Sequence, residues 1–310
     1  MPLVISTISR QFSACLCTLF VGLNVVNAIS IDGYSTTAHD RFANSSSFIT
    51  DSFDLSGIGI ADSGNWLTMV SPNVFLSAHH FFPADDDSVT FYASNDPNGS
   101  SVTRTVSYSE RIGESDLRIG YLDQALSADY VHYGIANTSI NNLYNFNTSP
   151  YHDADAYLFG RSPSSFTTSQ DMAIGRNKLD GFATNQEVNG TTDHALIANN
   201  NVTGQTNFLT DEALLQTGDS GAPMMVENAG SLTLVGINWF IGTDSNNDPL
   251  NGFSYVGNYS SDIETFINAN PVPELSATGI YMALFLMTLG ISSRRISLRS
   301  NWVQSELLLN

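Results

Sequence analysis

Residues Leu214–Val226 read LLQTGDSGAPMMV. Apolar residues flank a centre, Gly218-Asp219-Ser220-Gly221, with almost no side-chain bulk. Such a stretch is either a glycine-rich connection between strands or a place where backbone must come close to another molecule. If Ser220 is a nucleophile, it needs a base to take its proton and a carboxylate to orient that base. Both residue types stand upstream. Val74–Phe82, VFLSAHHFF, runs from an apolar strand pattern into His79 and His80. Glu114–Leu122, ESDLRIGYL, puts Asp116 at the start of another apolar run, where a carboxylate can be buried behind an imidazole. The order along the chain is His, Asp, Ser.

The surroundings are those of an all-β protein. WLTMV, VFLSA, VTFYA, LRIGYL, AYLFG, HALIA, LTLVGINWF and FSYV are short apolar runs divided by Asn, Asp, Gly, Ser and Pro. That rhythm predicts a sandwich or barrel of short strands. One helix is predicted, SSDIETFINAN at the end of this region, with Ser261 as its cap, Glu264 at capping-box spacing, and Ile263, Phe266 and Ile267 on one face. Ser127–Tyr151, rich in Asn, Ser and Thr, reads as a link between two β-domains. His39, His132, His152 and His194 lack metal-ligand spacing, and no metal is expected. Asp85–Asp87 could help hold calcium, but such a charge run is commonly a solvated loop.

In six stretches the chain resembles the chymotrypsin-like (trypsin-fold) serine peptidases. FLSAHHF is similar to that family's Thr-Ala-Ala-His-Cys segment, with Phe81 where a Cys stands, and SDLRIGYL to its Asn-Asp-Ile-Ala-Leu-Ile stretch. TGDSGAPMMV resembles Gly-Asp-Ser-Gly-Gly-Pro, and INWF the Ser-Trp-Gly edge that holds a substrate strand. NGFSYV and DIETFI resemble the closing strand and the terminal helix. The resemblance implies two packed antiparallel six-stranded β-barrels with a C-terminal helix, one barrel over 29–135 and the other over 136–270. It implies His80 as general base, Asp116 as its orienter and Ser220 as nucleophile, with the N–H groups of Gly218 and Ser220 as oxyanion hole. Leu214, Trp239, Phe240 and Gly252 would form the substrate site. Leu214 gives no acidic floor for Lys or Arg, and Phe240 would narrow the mouth, so a small or medium apolar residue is expected before the cleaved bond. Asp219 would pair with a freed N-terminal amine or a local substitute. The chain lacks an Ile-Val-Gly-Gly activation sequence, although cleavage after Ala28 would expose Ile29. The implied activity is a secreted serine endopeptidase acting through an acyl-enzyme on protein or peptide substrates, as a monomer and without a cofactor. A noncatalytic surface or adhesion protein that kept the fold, or an esterase using the same triad, is the alternative.

The ends suggest export. Arg10, an apolar stretch and Val26-Asn27-Ala28 have the order of a signal peptide over 1–28. Cys15 and Cys17 both lie inside it, so the mature chain would have no disulfide. Residues 271–295 resemble the PEP-CTERM sorting signal of Gram-negative bacteria: PVPEL, an apolar run over Leu275–Ile291, then Arg294 and Arg295. Leu275 replaces the motif's second Pro, and residues 296–310 form an extra tail. An exosortase would process such a signal at the cell surface; a plain membrane anchor is the other reading. Between the two ends, residues 29–270 hold seven bases against 28 acids, a net of −21. That field repels phosphate backbones and speaks against nucleic acid as a partner.

Overall fold

A computed structural model describes residues 27–272 apart from Ser165. The apolar parts of the signal-like N-terminus and the sorting-like C-terminus lie outside the described residues. Among the described residues no helix is long and apolar enough to cross a membrane. The compact unit ends at Asn270.

The described chain opens with a two-residue strand, β1 (Ser30–Ile31), and one helical turn, α1 (Thr36–His39). Six strands follow: β2 (Ile58–Ala61), β3 (Trp66–Met69), β4 (Val74–Ala78), β5 (Ser88–Tyr92), β6 (Ser101–Arg111) and β7 (Leu117–Leu122). They close into a barrel in the order β2-β3-β4-β7-β6-β5, every pair antiparallel. β4 explains why its sequence is apolar throughout. Successive side chains point to opposite faces of a strand. Phe75 faces the barrel interior with Leu67, Phe91 and Val106, while Val74, Leu76 and Ala78 join a core shared with the second half.

The expected link over Ser127–Tyr151 contains β8 (Gly134–Ile135) and α2 (Leu143–Asn147). Then come β9 (Asp155–Gly160), β10 (Ala173–Lys178), β11 (Gly181–Val188), β12 (Thr191–Asn199), β13 (Ala213–Leu214), β14 (Pro223–Asn228), β15 (Ser231–Thr243) and β16 (Pro249–Tyr255). The second sheet runs β10-β9-β14-β15-β16-β12-β11, antiparallel along that path. It has eight strands where six were expected: seven along that path, and β8 beside it, parallel to β15 at Thr233 and Leu234. β16 ends its pairing with β15 at Gly236, so β8 covers an edge that would otherwise be bare. The architecture is thus a closed six-stranded barrel, a second β-sheet and one C-terminal helix, α3 (Ser260–Ala269).

The helix departs from its expected start. Tyr259 is its N-cap residue, no side chain caps it, and Ser261 lies within the first turn. A short 3₁₀ segment, Val256–Tyr259, runs straight into α3 and leaves no extended residue from which Ser261 could cap. Its apolar face is the expected one, with Ile263 buried and Phe266 and Ile267 packed against the shared core.

Candidate active site

Ser220 sits in the turn between β13 and β14. The turn is tied down by Asp219 N–H to Gln216 O, 3.1 Å, and by Gly221 N–H to Asn238 O, 3.0 Å. Gly218 and Gly221 both have positive φ, at 105° and 85°, a conformation side chains disfavour. This accounts for the glycines on both sides of the Asp-Ser pair. Among the described residues, the N–H groups of Gly218 and Ser220 have no acceptor. The Gly218 carbonyl is held from the barrel side, accepting from Trp66 Nε1 at 3.2 Å.

Two side chains from the barrel meet this turn. His80 follows β4, and its Nε2 lies 2.9 Å from Ser220 Oγ. Its Nδ1 lies 2.7 Å from Asp116 Oδ2. A carboxylate oxygen can only accept, so Nδ1 carries the proton and Nε2 is left to accept from the serine hydroxyl. Asp116 is fully buried just ahead of β7, whereas the His80 side chain is one-third exposed. The Asp116 side chain also accepts from the His80 backbone N–H at 3.1 Å, and its carbonyl accepts from His79 N–H at 2.8 Å. Two elements joined by β4–β7 pairing therefore set the carboxylate and the imidazole together.

His79 has different surroundings. Its ring stacks on Phe82, with 6.1 Å between centroids and 4° between planes. Its Nδ1 lies 3.4 Å from Arg118 Nη1. Burial, then the charges of Arg111 and Arg118, push the His79 imidazole down from its ordinary value.

Asp219 points inward and is fully buried. Its two oxygens accept from the backbone N–H groups of Arg161 and Gln216, each at 2.7 Å. Gly160 makes room, because a Cβ there would come within 2.6 Å of the carboxyl. Burial pushes the Asp219 carboxyl up to about 8, against the two backbone donors and the Arg161 charge. The backbone nitrogen of Ile29 donates to the Arg161 carbonyl at 3.0 Å. Backbone amides are thus the local partners of Asp219.

The four substrate-site candidates lie on β13, β15 and β16. Leu214 pairs with Ser30 of β1. Phe240 stands directly opposite Gly252 across β15–β16 and packs edge-on to Trp239, 5.2 Å between centroids. The Phe240 ring covers Gly252 so closely that a Cβ there would meet ring carbons at 2.2 Å. Among the described residues, no three His, Cys, Asp or Glu side chains are grouped to hold a metal ion. In the Asp85–Asp87 loop, Asp87 accepts from Ser63 Oγ and Ala84 N–H.

No family model and no curated protein matches the chain. Among solved structures it is similar to the scabies mite inactivated protease paralogue S-I1, at 17% identity and a TM-score of 0.49. The match covers 71% of this chain and 98% of that one.

Three residues that brace the site were not legible in its motifs. Trp66 reaches Gly218 from 152 positions away. Arg161 is buried over the Trp66 ring, with its Cζ 5.6 Å from the ring centroid. Asp193 accepts from the Asp116 backbone. Their only sequence signal is a polar or aromatic residue beside an apolar run, which many positions share.

Proposed function

We propose that this chain is a serine endopeptidase. The observation that carries the reading is the relay from Ser220 Oγ to His80 Nε2, 2.9 Å, and from His80 Nδ1 to buried Asp116, 2.7 Å. In the proposed reaction, Ser220 Oγ attacks the peptide carbonyl as His80 Nε2 takes its proton. Asp116 keeps the imidazole in the reactive tautomer and stabilises the imidazolium. The N–H groups of Gly218 and Ser220 receive the developing oxyanion. His80 then gives the proton to the leaving amine, and the acyl-enzyme forms. Water, deprotonated by His80, releases the acid and restores Ser220.

The Phe240 ring over Gly252 and the absence of an acidic residue at Leu214 favour a small or medium apolar side chain before the cleaved bond. The signal-like and sorting-like ends support export to the surface of a Gram-negative cell, with the closed barrel and the second sheet as the working parts.

Fluorophosphonate labelling of the purified protein, read by peptide mass spectrometry, tests the reading. Modification of Ser220 in the wild type, and none in Ser220→Ala, is the expected result. Ser220→Ala should also lose at least ~10³-fold in kcat on casein or apolar chromogenic peptides, since the three groups act as a unit. An unlabelled, inactive but folded wild type would refute the proposal. Labelling with ester hydrolysis alone would redirect it to an esterase.

A further inference from the structure

Behind Asp116 lies a second buried carboxylate that this reaction does not use. Asp193, on β12, is 4% exposed. Its Oδ2 accepts from the Asp116 backbone N–H at 3.3 Å and from the Ser254 hydroxyl. Its Oδ1 accepts from the Tyr259 hydroxyl at 2.5 Å and from the His194 N–H at 2.7 Å. The donors come from the turn before β7, from β16, from the residue before α3 and from β12 itself. Burial and the Asp193 charge push the Tyr259 phenol up, so it stays a donor.

A buried carboxylate is costly unless donors satisfy it, and bonds to an ionised acceptor are stronger than neutral ones. Here four donors meet one carboxylate. Asp116 is consequently held on both sides. Its carboxylate faces His80, and its own N–H is fastened to a residue of the other sheet. The turn that carries it is otherwise short, closed by Ile112 N–H to Leu117 O at 2.9 Å and Ser115 N–H to Ile112 O at 3.1 Å. Without Asp193 the Asp116 N–H would be a buried donor with no partner, and the turn would shift to find one.

We propose that Asp193 is a positioning residue: from the second sheet it fixes the main chain of Asp116, and thereby the angle at which that carboxylate meets His80. The inference rests on reading His80, Asp116 and Ser220 as the catalytic triad. Displacements of about an ångström in such a constellation cost on the order of 10²-fold in rate. A residue that merely tied the two sheets together would, when replaced, lower the melting temperature and leave kcat of the folded protein unchanged.

The test compares wild type with Asp193→Asn, which keeps the shape, Asp193→Ala, and Tyr259→Phe, which removes one donor to Asp193. Three readouts are taken: kcat and KM on a peptide substrate, the rate of fluorophosphonate labelling, and the low-field proton resonance of His80 Nδ1–H, assigned by its loss in His80→Ala. Both Asp193 variants should lower kcat and the labelling rate by ~10- to 100-fold with KM unchanged, in line with a displaced orienting group. The low-field resonance should shift or disappear. Tyr259→Phe should lose less than ~10-fold, because three donors to Asp193 remain. Folded Asp193 variants with wild-type kcat and an unmoved resonance would overturn the proposal. If Asp193→Ala fails to fold, Asp193→Asn decides. If the wild type neither labels nor hydrolyses, the triad reading fails, and the resonance alone still shows whether Asp193 positions the His80–Asp116 pair.

Discussion

His79 and His80 are adjacent, yet their rings lie in different chemical surroundings. The chain turns at the end of β4, so one ring stacks on Phe82 beside Arg118 and the other bridges Asp116 and Ser220. His80→Ala should therefore lose at least ~10³-fold in kcat, while His79→Ala keeps most of it. The opposite pattern in a steady-state assay would put the wrong histidine against the serine. Asp219 gives a second test at this scale. Its folded carboxyl is raised to about 8, above the ordinary 3.8, so between those values the unfolded chain holds fewer protons than the folded one. Stability contributed by this group is then greatest below about pH 4 and is lost as pH rises toward 8. Asp219→Asn cannot ionise. The difference in unfolding free energy between wild type and variant should shift against the wild type from pH 5 to pH 8, measured by urea denaturation. A difference independent of pH would show that Asp219 is ionised throughout. Ser220, His80 and Asp116 were legible because each lies in a local pattern with its own turn or strand edge. Asp193 was not, because its bond to Asp116 spans 77 positions and depends on how the two sheets pack.

The β15–β16 hairpin carries the specificity argument. Phe240 and Gly252 are cross-strand partners, and the ring uses the space that the glycine leaves. Phe240→Gly removes the ring and should move the preferred residue before the cleaved bond from small or medium apolar toward larger ones such as Met or Phe. Each buried methylene a pocket can newly accept is worth roughly 1–3 kcal/mol of discrimination. Cleavage-site profiling of wild type and variant on a peptide library reads this directly. Identical profiles would mean that Phe240 lies outside the substrate path. Legibility among the strands follows burial. Runs such as VFLSA and LTLVGINWF carry enough apolar residues to be seen. β6 alternates Ser, Thr, Arg and Glu with few apolar positions, and only Val106 and Ser109 in it are buried. β11 likewise keeps most of its residues partly or wholly exposed. Such strands exist because neighbours supply hydrogen-bond partners, a tertiary cause that a local pattern does not hold.

Across the whole molecule the dominant feature is charge. Residues 29–270 carry a net of −21, and few of the seven bases are placed to offset it at the surface. Arg41 and Arg161 are buried, Arg41 against the carbonyls of Tyr92 and Ser94 and Arg161 beside Asp171. Arg176 and Lys178 are committed to Asp155 and Asp211. Of the 28 acids, Asp40, Asp116, Asp193, Asp211, Glu212 and Asp219 are buried, and the rest reach water. Self-repulsion among them destabilises a compact state, and salt screens it, the Debye length falling from ~30 Å at 0.01 M to ~3 Å at 1 M. The partly buried Arg176–Asp211 pair is screened much less, so repulsion should govern the response. The melting temperature should rise steeply between ~10 mM and ~0.3 M NaCl and flatten beyond, as the screening length drops below the spacing of surface charges. KCl should act identically at equal ionic strength, because the effect is screening and not a bound ion. The sign of the charge was plain in composition, but its consequence depends on where the bases lie, which composition does not report. A melting temperature that falls with salt over the same range would show that ion pairs, and not repulsion among the acids, set the electrostatic balance of this fold.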